Sequence, residues 1–318
     1  RPRWRRGRHG DRVASVGVDT WGVDFSFLTA DDALLANPVC YRDPRTRGML
    51  AAAERIVPRE EIFAATGLQF MEINSLYQLL ALRQRRSPLL EAADRLLMIP
   101  DLFHWLLSGT RSNERTNATT SQCFDPRAND WAFPLLERFG LPRRIFGPVI
   151  EPGTDLGPLR PEVAAETGLG AARVVLPGTH DTASAVVAVP APEPPAGQPD
   201  WCYVSLGTWA LVGVELDRPL VTPECLALNF TNEGGVGGTT RLLKNVCGLW
   251  LVQQCRAAWR RQGRDWTWDE LTAQAAGAPP LVTLVDPDDP ALTAPADMPD
   301  AIRALARAAG AVSAGSSG

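Results

Sequence analysis

Metal-ligand clusters and paired cysteines are what this sequence most clearly lacks. It has three histidines, His9, His104 and His180, and no two of them stand at the spacing that metal ligands require. Its six cysteines are scattered, with no Cys-x-x-Cys pair. We therefore predict no metal site built from these residues, and we expect buried free thiols in a cytoplasmic protein.

Long apolar runs and a basic stripe are also missing. No apolar run approaches the roughly 18 residues that span a membrane, and the basic residues 1–6 have no apolar segment behind them. The net charge is −4, and the sequence has no cluster of basic residues typical of nucleic-acid binding. We expect neither a membrane nor a nucleic acid as a partner.

The length and composition are those of an ordinary globular protein. The chain has 318 residues and is 45% hydrophobic, which is enough for two domains with separate cores. Residues 190–199 contain five prolines, which is typical of a linker or surface loop. We therefore predict two domains, residues 1–190 and 200–318.

A strand-to-helix turn is predicted around Asp181. Residues 173–177 are an apolar, β-branched run typical of a buried strand, and residues 182–188 are small and compatible with a helix. At such a turn the unpaired backbone N–H groups favour an anion. A carboxylate there can accept a proton, although a structural role for Asp181 as a helix cap stays open.

A tight turn follows about two dozen residues later. Residues 203–206 and 209–212 have the pattern of two strands, and Gly207 and Thr208 lie between them. Glycine lets a ligand approach closely, and the Thr208 hydroxyl with nearby backbone N–H groups can hold phosphate oxygens. An ordinary hairpin turn is the alternative. A base followed by a phosphate site indicates phosphoryl transfer to a hydroxyl.

Other elements are predicted from local patterns. Residues 13–18 and 21–28 have the pattern of two strands of an early hairpin, and residues 96–107 that of a mostly buried helix ended by Gly109. Apolar residues share one face of a helix predicted over residues 248–261.

Six short motifs in one order resemble the FGGY carbohydrate kinases, from about Val13 to Arg307. The motifs are residues 19–24 (DTWGVD), 41–46 (YRDPRT), 116–120 (TNATT), 178–185 (GTHDTASA), 232–235 (NEGG) and 243–245 (LKN). The resemblance implies an α/β, two-domain fold like that of actin and hexokinase, which is ribonuclease H-like. It also implies an N-terminal sugar-binding domain, a C-terminal nucleotide-binding domain, and sugar and nucleotide bound between them.

The resemblance further implies a reaction and a set of site residues. The reaction is transfer of the γ-phosphate of ATP, with Mg²⁺, to the 1-hydroxyl of L-rhamnulose. The implied residues are Asp181 as catalytic base, Gly22, His180, Asp181, Thr182 and Asn245 at the sugar, and Thr208 and Gln253 at the nucleotide. For three of these residues a purely structural role stays open. Gly22 could relieve crowding beside Trp21, Asn245 could close a turn, and Gln253 could be a solvated polar residue.

Other functions remain as alternatives. The sugar could be that of a fuculokinase, gluconokinase or xylulokinase, or the chain could bind sugar without catalysis. A Ser-His-Asp hydrolase is disfavoured because no Gly-x-Ser-x-Gly motif occurs. The family's first phosphate-binding hairpin is expected several dozen residues before Val13 and its glycine-rich adenine loop after Arg307. Neither is in this sequence, so we expect the chain to bind ATP weakly.

Overall fold

The computed structural model describes residues 13–191, 199, 201–292 and 295–310. These residues contain both helices and strands, which confirms the predicted α/β class. The strands are β1 Ser15–Val16, β2 Phe25–Leu28, β3 Arg95–Met98, β4 Asn113–Glu114, β5 Phe124–Asp125, β6 Asp130–Trp131, β7 Val149–Ile150, β8 Asp155–Pro158, β9 Arg173–Val175, β10 Tyr203–Leu206, β11 Trp209–Leu216, β12 Thr231–Gly234 and β13 Thr240–Cys247. The helices are α1 Met49–Glu54, α2 Arg59–Thr66, α3 Ser75–Gln84, α4 Pro88–Ala92, α5 Ile99–Ser108, α6 Arg115–Ala118, α7 Phe133–Arg138, α8 Pro161–Thr167, α9 Asp181–Val187, α10 Pro223–Ala227, α11 Trp250–Arg261, α12 Trp268–Gly277 and α13 Met298–Ala308.

The chain divides into two compact units. The first unit comprises residues 1–203 and 213–244, and the second comprises residues 204–212 and 245–318. Most of the predicted linker, residues 192–198, lies outside the described residues. The domain boundary at 190–200 therefore stays a prediction.

The first unit has one large hydrophobic core. Helix α3 is buried along most of its length, and Leu76, Tyr77 and Leu79 are each fully buried. An aromatic group packs into the same core, where Trp131 lies between Phe124 and Phe146 with ring centroids 6.1 and 5.0 Å away. Burial of this apolar surface is the main favourable term that holds the first unit together.

The predicted early hairpin is wrong. Strand β1 pairs in parallel with β9, and β2 pairs antiparallel with β3, so the two early strands are not paired with each other. Residues from β1 to Thr20 instead run beside the chain that leads from β9 to α9, and Thr20 forms an isolated parallel bridge with His180. This pairing brings the first motif next to the 178–185 motif.

The helix predicted over residues 96–107 is correct only from Ile99. Residues 95–98 form β3, because the pairing of this segment with β2 outweighs its local preference for helix. Pro100 lies in the first turn of α5, where proline is tolerated, and Gly109 ends the helix in the left-handed conformation with φ 88°.

The second unit has a smaller apolar cluster. Helix α11 packs against α13, and the cluster is centred on Cys255, Leu292 and Met298. Cys255 and Ala258 are buried on one face of α11, which confirms the amphipathic helix predicted there. All six cysteines are free, as expected, but Cys40 and Cys202 are exposed rather than buried.

A buried histidine anchors the end of β1. His104 on α5 is almost fully buried, and its Nε2 accepts a hydrogen bond of 3.0 Å from the backbone N–H of Val18. Burial lowers the pKa of His104 from 6.5 to about 4. The imidazole is therefore neutral near neutral pH, as its acceptor role requires.

This anchor makes the stability of the chain depend on pH. Below pH 6.5 the unfolded chain takes up a proton on His104 before the folded chain does, so stability falls as the pH falls toward 4. A difference of about 2.5 pKa units corresponds to roughly 3 kcal/mol. His104→Gln keeps an acceptor oxygen but cannot titrate. The gap in unfolding free energy between the two proteins, measured by urea denaturation from pH 8 to pH 4, should therefore change by about that amount; a constant gap would contradict the assignment.

Candidate active site

Asp181 is the first residue of α9, at the turn that follows β9, which confirms the predicted strand-to-helix arrangement. Its backbone N–H donates to the Thr20 carbonyl at 2.8 Å, and Thr20 N–H donates to the Thr179 carbonyl at 2.9 Å. The N-cap position belongs to His180, whose side chain makes no capping bond. The carboxylate of Asp181 is 56% exposed, so it is available to a ligand.

The two oxygens of the Asp181 carboxylate have different surroundings. Oδ1 accepts a hydrogen bond from the Thr182 backbone N–H at 2.6 Å and contacts the Thr182 hydroxyl at 3.3 Å. His180 Nε2 lies 3.4 Å from the same oxygen. Among the described residues no group donates to Oδ2. One oxygen thus orients the carboxylate while the other can accept a proton.

A buried glutamate holds this turn in place. Glu114, which is fully buried, caps α6 by accepting from the backbone N–H groups of Thr116 and Asn117 at 2.8 and 3.3 Å. It also accepts from the Thr179 N–H at 3.0 Å and from the hydroxyls of Thr116 and Thr179 at 2.5 and 2.6 Å. Five hydrogen bonds to one carboxylate tie α6 to the segment before Asp181.

A second buried carboxyl group lies beside Glu114. Asp101 Oδ1 accepts a hydrogen bond of 3.0 Å from the backbone N–H of Glu114. Burial, together with the charge of Glu114, raises the pKa of Asp101 well above its usual value of 3.8. Burial and a neighbouring negative charge both favour the neutral form of Asp101.

Helix α6 connects both motifs that flank Asp181. The Thr116 hydroxyl accepts from the His180 backbone N–H at 3.1 Å. The Asn117 amide donates to the carbonyls of Trp21 and Thr179, each at 3.3 Å. Asn117 therefore joins the segments at residues 21 and 179, and Thr116 holds the adjacent His180.

Gly22 is packed against Thr120, with no room for a side chain. A Cβ atom at residue 22 would lie 2.6 Å from the Thr120 hydroxyl oxygen and 2.9 Å from two of its carbon atoms. A glycine is thus required at residue 22 to avoid crowding, as one of our alternatives held, but the crowding group is Thr120 and not Trp21. The same hydroxyl accepts from the Val23 N–H at 3.0 Å.

Val23 has a strained backbone conformation. Its φ is 67°, which is unusual for a β-branched residue, and the Asp24 N–H donates across it to the Gly22 carbonyl at 2.9 Å. The Val23 carbonyl accepts from the Ser75 hydroxyl at 2.6 Å and from the Gln78 amide at 3.2 Å. Buried polar groups thus maintain a tight turn next to the half-exposed Trp21 ring.

A buried ionic group lies behind His180. Arg241, with no exposed surface, contacts His180 Nδ1 at 3.0 Å and Glu233 Oε2 at 3.2 Å through the same nitrogen, NH2. Glu233 Oε2 is itself 3.3 Å from His180 Nδ1. Glu233 belongs to β12 and Arg241 to β13, and these strands pair antiparallel with Glu233 opposite Arg241.

The remaining predicted residues belong to the second unit. Thr208 lies in the turn between β10 and β11, and its carbonyl accepts from the N–H groups of Gly248 and Trp250, each at 3.2 Å. Gln253 is in the first turn of α11, and its N–H donates to the Leu249 carbonyl at 2.9 Å. Asn245 lies within β13, so it does not close a turn.

The structure therefore brings together part of the predicted set within the first unit, namely Gly22, His180, Asp181 and Thr182. Glu114 and Arg241 were missed. Glutamate is an uncommon N-cap, so no local signal marks Glu114. Arg241 lies outside the quoted motifs, and its role depends on strand pairing. Among the described residues, no group of three or more His, Cys, Asp or Glu side chains could hold a metal ion.

The chain matches sequence models of both domains of the FGGY family of carbohydrate kinases, the N-terminal domain over residues 7–188 and the C-terminal domain over residues 202–314. It is 44% identical to a rhamnulokinase of Bacteroides thetaiotaomicron over 95% of this chain and 60% of the relative. It is 40% identical to a rhamnulokinase of Oceanobacillus iheyensis over 94% of this chain and 61% of the relative. The chain thus spans about 60% of the length of these relatives.

Solved sugar kinases share the fold. A xylulose kinase from Lactobacillus acidophilus superimposes with a TM-score of 0.70 at 19% identity, covering 85% of this chain and 53% of that chain. A gluconate kinase from the same organism gives a TM-score of 0.69 at 18% identity, with the same coverage. In the described part of the chain no helix is long and apolar enough to cross a membrane.

Removing the charge of Glu114 should destabilise the first unit. In Glu114→Gln, an NH₂ group replaces one acceptor oxygen, so at least one buried backbone N–H loses its partner, at a cost of roughly 1–3 kcal/mol. We expect a loss of that size in the urea-measured free energy of unfolding. Glu166→Gln, at an exposed position on α8, is the matched control and should change it little. Equal values for the two variants would show that the Glu114 charge is dispensable.

The contact between Gly22 and Thr120 should tolerate no added methyl group. Gly22→Ala places a carbon atom 2.6 Å from the Thr120 hydroxyl oxygen, and overpacking of this kind costs about 1–3 kcal/mol. Gly170→Ala is the control, since nothing lies within 4 Å of its added Cβ. Thermal unfolding of both variants tests this, and a Gly22→Ala protein as stable as Gly170→Ala would refute the packing argument.

Proposed function

Because the chain belongs to the FGGY family of carbohydrate kinases, we propose that it carries the sugar site and the catalytic base of an ATP-dependent L-rhamnulose kinase. The observation that carries the proposal is the Asp181 carboxylate. It is exposed, oriented through Oδ1, and without a donor at Oδ2 among the described residues. A carboxylate in this state suits the removal of a proton from a sugar hydroxyl.

The proton transfer follows from the chemistry of the acceptor. A sugar hydroxyl is a poor nucleophile at neutral pH, and its proton must leave as the new bond to phosphorus forms. Asp181 Oδ2 accepts that proton when the 1-hydroxyl lies within hydrogen-bonding distance. Thr182 holds Oδ1, which keeps the carboxylate aimed while Oδ2 reacts.

We propose that the sugar contacts both backbone and side-chain groups. We propose a backbone contact between Gly22 and the sugar; the absence of a side chain at this residue is required by its packing against Thr120. His180 and Thr182 offer polar groups that suit hydroxyls. We propose L-rhamnulose as the sugar because the relatives at 40–44% identity are named rhamnulokinases. The xylulose and gluconate kinases are below 20% identity and share the fold.

The nucleotide contacts are proposed for Thr208 and Gln253. Hydrogen bonds from Gly248 and Trp250 to the Thr208 carbonyl keep residue 208 beside the first turn of α11, where the helix dipole favours phosphate oxygens. Three N–H groups at that helix start, those of residues 248–250, already donate to the carbonyls of Gly207 and Thr208. We propose the Thr208 hydroxyl as a donor to phosphate. ATP would supply the γ-phosphate, and Mg²⁺ bound to the ATP would neutralise part of the phosphate charge. Because a kinase of this type uses cytoplasmic ATP, we propose that the protein is cytoplasmic.

A panel of sugars tests the substrate. The chain is incubated with ATP, Mg²⁺ and, in turn, L-rhamnulose, L-fuculose, D-xylulose and D-gluconate. ADP release and sugar binding by calorimetry are measured together. We expect L-rhamnulose to bind most tightly and to give the highest turnover. Preference for another sugar would replace the proposed substrate, and rhamnulose binding without any turnover would favour a sugar-binding protein.

Asp181→Asn tests the base. Asparagine keeps the shape and an Oδ1 acceptor for Thr182, but its NH₂ group cannot take up the proton at the Oδ2 position. General base catalysis contributes typically about 10²–10⁴-fold, so kcat for rhamnulose phosphorylation should fall by that order while rhamnulose affinity changes far less. Asp217→Asn, at an exposed position, is the control. Near-parental turnover of Asp181→Asn would remove Asp181 from the role of base.

A further inference from the structure

The buried ionic group behind His180 is not used by the reaction as described above. Arg241 is fully buried, and its Nε donates to the Gly234 carbonyl at 3.0 Å, which fixes the plane of the guanidinium. Its NH2 nitrogen then faces two groups, His180 Nδ1 at 3.0 Å and Glu233 Oε2 at 3.2 Å. Placing an arginine against an imidazole nitrogen in a buried position requires an explanation.

The donors and acceptors of Arg241 and His180 allow only one position for the imidazole proton. A guanidinium has N–H donors and no acceptor, and it does not lose its proton in proteins. A contact of 3.0 Å with Nδ1 is therefore a hydrogen bond only if Nδ1 presents its lone pair. In a neutral imidazole the proton is then on Nε2.

Glu233 alone would favour the opposite arrangement. Its Oε2 lies 3.3 Å from His180 Nδ1, and a carboxylate beside that nitrogen favours an Nδ1–H donor. Arg241 contacts the same carboxylate oxygen and is closer to Nδ1 than Glu233 is. The guanidinium of Arg241 thus acts as the hydrogen-bond partner of His180 Nδ1 and also pairs with the Glu233 carboxylate.

We propose that Arg241 is a positioning residue that holds His180 as the Nε2–H tautomer. Nε2 lies 3.4 Å from Asp181 Oδ1, so this tautomer directs an N–H group toward the anchored oxygen of the carboxylate. The opposite tautomer would direct a lone pair at that oxygen and repel it. The inference rests on the proposed function of Asp181 as base, because it explains how the carboxylate is oriented with Oδ2 available.

The tautomer is measured directly in the unaltered chain. Two-bond ¹H–¹⁵N correlation spectra at pH 7.5 distinguish a protonated from an unprotonated ring nitrogen. With three histidines in the chain, the His180 signals are those that disappear in His180→Gln. We expect an unprotonated Nδ1 and a protonated Nε2. An Nδ1–H tautomer or a doubly protonated ring would overturn the proposal.

Arg241→Met tests the cause. Without the guanidinium, Glu233 is the neighbour of Nδ1 at 3.3 Å, so the proton should move to Nδ1, as an Nδ1–H tautomer or an imidazolium ion. Arg218→Met, at an exposed position, should leave the His180 spectrum unchanged. An Nε2–H tautomer that persists in a folded Arg241→Met protein would show that Arg241 does not set it. If Arg241→Met does not fold, the spectrum of the unaltered chain still decides the proposal.

The spectra also separate this inference from the proposed function, because they require neither sugar nor turnover. A chain that phosphorylates no sugar but shows the Nε2–H tautomer would contradict the proposed kinase activity and leave the assignment of Arg241 standing. An active kinase with an Nδ1–H His180 would do the reverse.

Discussion

The carboxylate of Glu114 accepts five hydrogen bonds, and the geometry around Asp181 depends on them. Two of these bonds come from Thr179, two residues before Asp181, and the other three come from the start of α6. Burial of a charge is costly unless hydrogen bonds compensate it, and here the compensating donors are the segments that must be held together. Burial and the charge of Glu114 raise the pKa of the neighbouring Asp101 well above its usual value.

The motif at residues 19–24 is closely packed against the same region. Asn117 reaches the carbonyls of both Trp21 and Thr179, and Thr120 leaves no space for a side chain at residue 22. The strained φ of Val23 persists because buried polar groups bond its N–H and its carbonyl. A site held by so many buried hydrogen bonds is preorganised, as the proposed positioning of a sugar hydroxyl against the Asp181 carboxylate requires.

Local pattern predicted the elements that local chemistry determines. The strand before Asp181, the helix after it, the turn at Gly207 and Thr208 and the amphipathic α11 were all predicted correctly. The early hairpin was wrong because β1 and β2 each pair with a strand distant in sequence, β9 and β3, which no local pattern records. The first three residues of the helix predicted over residues 96–107 belong to β3 for the same reason.

The residues of the candidate site also fall into two groups, those that a local sequence pattern predicted and those that it did not. Asp181 and its neighbours could be found because a strand, a turn and a helix follow one another in a short segment. Glu114 and Arg241 could not, because a buried charge is stable only where its partners converge, and those partners are 65 and 61 residues away in Thr179 and His180. Residues that contact a ligand can be marked by motif, whereas the residues that orient them are defined by tertiary contacts.

The central claim is that the fixed Asp181 carboxylate is aimed at the hydroxyl that receives phosphate. A crystal structure of the chain soaked with L-rhamnulose tests it most directly. The account predicts that the sugar's 1-hydroxyl lies about 2.6–3.2 Å from Asp181 Oδ2, with Oδ1 still bonded to Thr182. A sugar bound away from Asp181, or one that presents a different hydroxyl to the carboxylate, would contradict it.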